Sequence, residues 1–177
     1  MTRTAAAQAN DPLSYSVMPS PVGDLLLVAD DLGLHQIRFT QGKGAATIDE
    51  AWVRDDAALA EVRRQLEEYF AGTRKSFELT LVPTGTAFQR SVWQALTEIP
   101  FGSTWSYGEL AQHIGRPKAV RAVGAANGAN PLPIVVPCHR VIGANGKLTG
   151  FGGGLPAKEY LLALEGVLQE KPSLPLG

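Results

Sequence analysis

One cysteine, two methionines and three histidines are all that 177 residues offer in sulfur and imidazole chemistry. A single cysteine excludes an internal disulfide. His35, His113 and His139 lack metal-site spacing, so a cysteine-based zinc centre is excluded as well and no metal is expected. No apolar run approaches the roughly 20 residues that span a bilayer. The first ten residues carry Arg3 without a hydrophobic core behind it, so no signal peptide and no membrane partner are expected, and the chain reads as cytoplasmic. Neither charge sign dominates either: 16 Lys/Arg stand against 17 Asp/Glu, a net charge of -1 that taken whole argues against a polyanionic partner. The sum hides an asymmetry. Residues 1–82 hold 8 basic and 12 acidic side chains, a net of -4, whereas residues 83–177 hold 8 and 5, a net of +3. The second half could meet nucleic acid, although such a surplus is common in proteins that bind none.

What is present suits a folded domain, since 45% hydrophobic content is ordinary for a chain that buries a core. Residues 1–12 and the tail at 171–177 read as disordered. Between them, Leu13–Met18, Asp24–Ala29 and Leu34–Phe39 are short apolar runs separated by Pro, Gly and Asp, the pattern of a strand meander. A polar loop through Gly42 and Gly44 follows. Leu59, Val62, Leu66 and Phe70 then recur at helical spacing within Asp55–Phe70, with Gly72 as a stop. Residues 77–85, punctuated by Pro83, read as a linker between an amino-terminal unit at 1–82 and a second unit at 83–170.

The second unit reads as helices. Thr86 with Gln89, and Ser106 with Glu109, are capping boxes, the latter opening a helix that ends near Gly115. Pro117 can occupy the first turn of the next helix, which runs to Gly128, so the two helices form a helix-turn-helix candidate. That helix carries Ala122, Gly124 and Ala126 and almost no bulk. Tight helix packing explains this composition, and so does entry into the DNA minor groove with Arg121 filling the place of an extruded base. Tyr107, at the start of the preceding helix, suits either the core or a hydrogen bond to a base. A last helix spans Leu155–Leu164 after a glycine-rich loop at 150–154, which has no phosphate-binding fingerprint and suits the backbone wall of a pocket.

A lone cysteine is more often an inert buried hydrophobe than a nucleophile. Cys138, however, follows the strand-like run Ile134–Val136 and Pro137 and precedes His139 and Arg140. A thiol at a strand end is accessible, and a neighbouring cation and imidazole lower its pKa from about 8.5. Neighbours on a strand face opposite ways, so His139 is expected to act on the thiol through water. Glu165 is the preferred partner to orient the imidazole, because a carboxylate at a helix C-terminus meets an unfavourable dipole. A solvated helix end explains Glu165 equally well.

The run Asn130-Pro-Leu-Pro-Ile-Val-Val-Pro-Cys138-His139-Arg140-Val141 closely resembles the active-site motif of the O6-alkylguanine-DNA alkyltransferases. The resemblance extends from about Thr86 to Gly166, through Trp105–Leu110, Lys118–Gly124 and Gly153–Gly166. It implies an α+β fold, with a ribonuclease-H-like amino-terminal half and a winged-helix-like carboxy-terminal half. It implies that Cys138 accepts the alkyl group, His139 is its base, Glu165 orients His139, and Asn130 braces the active-site turn. Arg121 would be the intercalating finger, Tyr107 would donate to the flipped guanine, and Lys158 would support the pocket. The Cys138 and Val141 carbonyls would accept from the exocyclic amine, and the Gly152 amide would approach O6. The implied partner is double-stranded DNA carrying an alkylated guanine flipped out through the minor groove; the protein would act once, as a monomer or cooperatively along DNA, with no cofactor.

Two departures stand out. Phe151 occupies a position where many relatives have tyrosine, and the residues of the structural zinc found in some relatives are missing. A sister group of non-catalytic lesion binders replaces the cysteine, typically with tryptophan, so Cys138 sets this chain apart from it. The competing readings are a lesion-binding helix-turn-helix protein with an inert cysteine and a cysteine hydrolase using Cys138, His139 and Glu165.

Overall fold

The computed structural model describes residues 12–41 and 46–167. The expectations for residues 1–11, for the loop through Gly42 and Gly44 and for the tail beyond 167 lie outside the described residues. All three expected strands form: β1 (Ser14–Met18), β2 (Leu25–Asp30) and β3 (Gly33–Phe39), joined antiparallel with Ser14 opposite Ala29 and Leu25 opposite Phe39. A two-residue strand, β4 (Val53–Arg54), pairs parallel to β1 and gives the order β3-β2-β1-β4. Sequence pattern missed it because two exposed residues have no periodicity to read.

Helix α1 covers the sheet over Ala60–Phe70, five residues shorter than expected. Asp55 accepts from the Ala58 amide at 3.1 Å and holds residues 55–59 in turns instead. Its buried face is Val62, Gln65, Leu66 and Tyr69, so Tyr69 points inward rather than Phe70, which is half-buried. Both spacings fit one helix face, and only packing separates them. Gly72, at φ +84°, ends the helix as expected.

The linker does more than connect. Leu34 donates to the Thr80 carbonyl at 2.9 Å and Val82 donates to the Leu34 carbonyl at 2.8 Å, so the linker lies along β3 and covers its edge. Gly33 is required there: at φ +149°, a Cβ would sit 2.5 Å from the Thr80 oxygen. Farther along β3, the Ile37 amide donates to the Pro131 carbonyl at 2.9 Å. That bond ties the sheet to the loop leading to Cys138.

Both capping boxes form, on α2 (Ala87–Leu96) and α3 (Tyr107–His113). Gly115, at φ +77°, ends the turn after α3. The next helix, α4, starts at Val120 and not at Pro117. The reason is local: residue 116 before a proline avoids helical geometry, and the Ala119 amide closes a turn onto the Arg116 carbonyl at 2.9 Å. α3 and α4 pack as a helix-turn-helix, and α2 packs on α4, with the Trp93 indole donating to the Ala126 carbonyl at 2.8 Å. β5 (Trp105–Ser106) and β6 (Val141–Ile142) form a small parallel pair, and α5 (Leu155–Leu164) closes the unit.

Candidate active site

The segment before Cys138 is not the extended run that its Ile-Val-Val composition predicts. It is a set of turns in which the Val136 amide reaches back to the Leu132 carbonyl at 2.8 Å and Ile134 is forced to φ +77°. A β-branched residue in that region costs about 1–3 kcal/mol and persists only where the surroundings over-determine it. Asn130 supplies that constraint: its oxygen accepts from the Leu132 amide at 2.9 Å and its Nδ2 donates to the Val136 carbonyl at 2.8 Å. Proline spacing and β propensity, both local, could not register a turn braced by one side chain.

Cys138, His139 and Arg140 accordingly lie on a single 3₁₀ turn. The thiol is not on open surface, being 6% exposed, but it lines a cavity of about 670 Å³. Asn127, Asn130, Phe151 and Gly152 share that wall, and β3 closes the other side. Burial pushes the thiol up to about 11, against the lowering effects of an Asn130 hydrogen bond and the charge of Lys158. The resting cysteine is therefore a neutral thiol, contrary to the expectation of a lowered value.

The expected cationic neighbour is also a different residue. Arg140 turns away to Glu165, with Nε 2.8 Å from Oε1 and Nη2 3.0 Å from Oε2, and its Nη1 donates to the Ile99 carbonyl at 2.7 Å. Lys158 is the cation whose field reaches the thiol. Its Nζ is anchored on the Val141 and Thr149 carbonyls at 2.7 and 3.1 Å, and burial lowers it to about 8.

His139 is wholly buried, and its Nε2 lies 2.8 Å from Glu165 Oε2. Burial would raise the Glu165 carboxyl, but hydrogen bonds from His139 and Arg140 hold it at about 2, so it is a carboxylate. Burial keeps His139 below the ordinary imidazole range, so it is neutral. Facing a carboxylate, Nε2 is the donor, and Nδ1 keeps its lone pair. Nδ1 is buried without a hydrogen-bond partner among the described residues. A neutral imidazole with a free acceptor, fixed by a buried carboxylate next to a cavity-lining thiol, has the parts that a nucleophile and its base require. Among the described residues no cluster of His, Cys, Asp and Glu could hold a metal ion.

Residues 13–83 match the family described as 6-O-methylguanine DNA methyltransferase, ribonuclease-like domain, and residues 87–167 match its DNA binding domain. The chain belongs to this methyltransferase family. It is 55% identical over 152 residues to the methylated-DNA–protein-cysteine methyltransferase of Methanosarcina acetivorans, covering 86% of this chain and 97% of that one. The protein of the same name from Haemophilus influenzae is 47% identical over 156 residues, with 86% of each chain covered. Among solved structures, Mycobacterium tuberculosis OGT in complex with DNA superposes with a TM-score of 0.80 at 48% identity, covering 86% of this chain and 92% of that one. The methyltransferase fold expected from the sequence, strand-rich then helical, is the fold observed.

Other expected methyltransferase site residues are spread more unevenly. On α4, Arg121 and Ala122 are exposed and Gly124 is half-buried against the Tyr107 ring, so all three lie on or near the outer face. Ala126 is not there: it is 3% exposed, on the inner face against Trp93, and cannot touch a DNA groove. The Tyr107 hydroxyl bonds the Thr149 hydroxyl at 2.8 Å. Val141 has a buried side chain, and the carbonyl expected to meet the base already accepts from Lys158. Phe151 lines the cavity between Phe39 and His139, its ring centre 5.4 and 6.5 Å from theirs. Two residues escaped the sequence reading. Asn127, 4% exposed, reaches the Cys138 carbonyl from α4 at 3.5 Å, and Tyr69, from the amino-terminal unit, donates to Glu165 Oε2 at 2.5 Å. For Tyr69 the only signal was its place on an inward-capable helix position.

Proposed function

We propose that this chain is a single-use DNA repair protein that transfers a methyl or other alkyl group from O6 of guanine to Cys138. The observation that carries the reading is the pairing of a neutral, cavity-lining thiol with a buried imidazole whose Nδ1 has no partner among the described residues. In the reaction the thiol proton passes through a water to His139 Nδ1, and Glu165 stabilises the imidazolium through Nε2. The sulfur displaces the alkyl carbon from O6, forming a thioether as the C–O bond breaks, and guanine leaves with the bonding electrons. Tyr107 donates a hydrogen bond to the ring of the flipped guanine, the departing guanine anion takes up a proton from solvent, and the imidazolium returns the thiol's proton to solvent through the same water. Lys158 stabilises the transient thiolate. No cofactor is needed, because the sulfur supplies the electron pair. The thioether has no route back, so each molecule acts once.

Double-stranded DNA is the partner, held by the helix-turn-helix unit at residues 83–170 with the amino-terminal unit at 1–82 as its support. The protein works as a monomer in the cytoplasm. Such a relay acts on a base only outside the stack. Arg121, exposed and without an ion pair among the described residues, fills the gap. Arg121→Ala is expected to slow transfer from a duplex about 10- to 100-fold, since unstacking costs a few kcal/mol. Transfer from free O6-methylguanine base should change less than twofold, and equal slowing of both substrates would remove Arg121 from this role.

The direct test of the function is intact mass after incubation with an oligonucleotide containing O6-methylguanine. One added methyl, mapped by peptide fragmentation to Cys138, is the expected result. Binding without any added mass would replace this reading with that of a lesion-binding protein.

A further inference from the structure

The amino-terminal unit places one side chain in the relay. Tyr69, on the last turn of α1, is 1% exposed and packed against Phe70, Phe77 and Phe101, with ring centres 5.3, 5.5 and 6.4 Å away. A phenylalanine would fill that aromatic nest equally well. What tyrosine adds is the hydroxyl, and the hydroxyl donates at 2.5 Å to Glu165 Oε2, the same oxygen that accepts from His139 Nε2 at 2.8 Å.

We propose that Tyr69 is a positioning residue for alkyl transfer, acting through Glu165 to fix the tautomer and basicity of His139. The proposal rests on the relay described under the proposed function. A carboxylate oxygen has two lone pairs in its plane. Oε2 here carries three donors, the Tyr69 hydroxyl, His139 Nε2 and, at 3.0 Å, Arg140 Nη2, and Tyr69 helps to hold the carboxylate so that a lone pair meets Nε2, which keeps the proton on Nε2 and the lone pair on Nδ1. Burial and the charge of Glu165 push the phenol above its ordinary range, so Tyr69 is a donor at neutral pH. It also draws charge from Oε2, which limits how strongly Glu165 stabilises the imidazolium. The charged and titratable groups around this centre are Tyr69 from α1, Cys138 and Arg140 from the 3₁₀ turn, Lys158 from α5 and Glu165 just past its end, and Tyr160 acting on Tyr69 at longer range. Of these only Tyr69 comes from the amino-terminal unit, so the two units share one catalytic device.

The test is the pH profile of the second-order transfer rate for wild type, Tyr69→Phe and Tyr69→3-fluorotyrosine, together with the imidazole titration of His139 read by ¹⁵N NMR on protein without DNA. Removing the donor leaves more charge on Oε2, so in Tyr69→Phe the His139 titration and the acid limb move up by about half a pH unit. Transfer is then about threefold slower on that limb and unchanged on the plateau. The fluorinated phenol is a stronger donor of the same shape and moves both the other way, even if Tyr69→Phe folds poorly. A uniform rate loss at every pH, with the His139 titration unmoved, would reduce Tyr69 to a packing residue. Failure of wild-type transfer would sink the proposed function, while the NMR titration would still decide the role of Tyr69.

Discussion

Cys138→Ala is expected to gain no mass from an O6-methylguanine oligonucleotide under conditions that fully convert the wild-type chain, and to bind that oligonucleotide as tightly. Total loss follows from the composition: there is no second thiol to accept the alkyl group. Binding survives because Cys138 contributes little to the structure around it. Deleting one buried sulfur compares with deleting one buried methyl group, about 0.5–1.5 kcal/mol. The turn is held by Asn130 and by backbone bonds that alanine keeps, such as the Cys138 amide to the Val136 carbonyl at 2.8 Å. The raised thiol adds a second contrast in the wild type. At about 11 it is protonated at neutral pH, so iodoacetamide should modify it slowly while methylated DNA, which engages the relay, modifies it fast. Rapid iodoacetamide labelling of the free protein would mean a resting thiolate and overturn the relay. A methyl recovered on Cys138→Ala would place the acceptor elsewhere.

How much of this was legible in the sequence depended on the range of the signal. The three strands of the meander, both capping boxes and the stop at Gly115 were readable because each depends on residues within a few positions. Cys138 and His139 were readable together because they are adjacent, whereas the helix end left Glu165 open between a partner and solvent, and only the family resemblance implied its bond to His139. What was misread depends on contacts across the chain. Ile134–Val136 has strand composition, yet Asn130 bends it into turns. Arg140 seemed placed to activate the thiol, yet Glu165, 25 residues away, takes its guanidinium, and Lys158 stands in that place. Ala126 shared a small-residue pattern with Ala122 and Gly124 but faces Trp93. Tyr69 lies 96 residues from Glu165, and no local pattern could join them.

Glu165→Ala is expected to damage folding and transfer together, by far more than loss of a helix-end carboxylate on the surface. The substitution strands three buried donors at once: the Tyr69 hydroxyl, His139 Nε2 and the Arg140 guanidinium. Breaking a buried pair by removing one partner costs about 3–5 kcal/mol, because the remaining charge stays desolvated. For a chain of this size, that lowers Tm by about 10 °C. Without the carboxylate, His139 has nothing to select its Nε2 tautomer or to stabilise the imidazolium, and transfer should fall by about 10²–10⁴, the range of general-base catalysis. The wild type carries a pH signature of the same interaction. The Glu165 carboxyl stands at about 2 in the folded chain against 4.5 ordinarily, so its contribution to stability is fully present above about pH 4.5 and is lost as pH falls towards 2. The difference corresponds to about 3 kcal/mol. Urea denaturation at neutral pH and again near pH 3 should therefore show wild type and Glu165→Ala drawing together in acid. A stability gap of the same size at both pH values would mean that the carboxylate is not held by its charge partners, and the relay would lose the group that sets its direction.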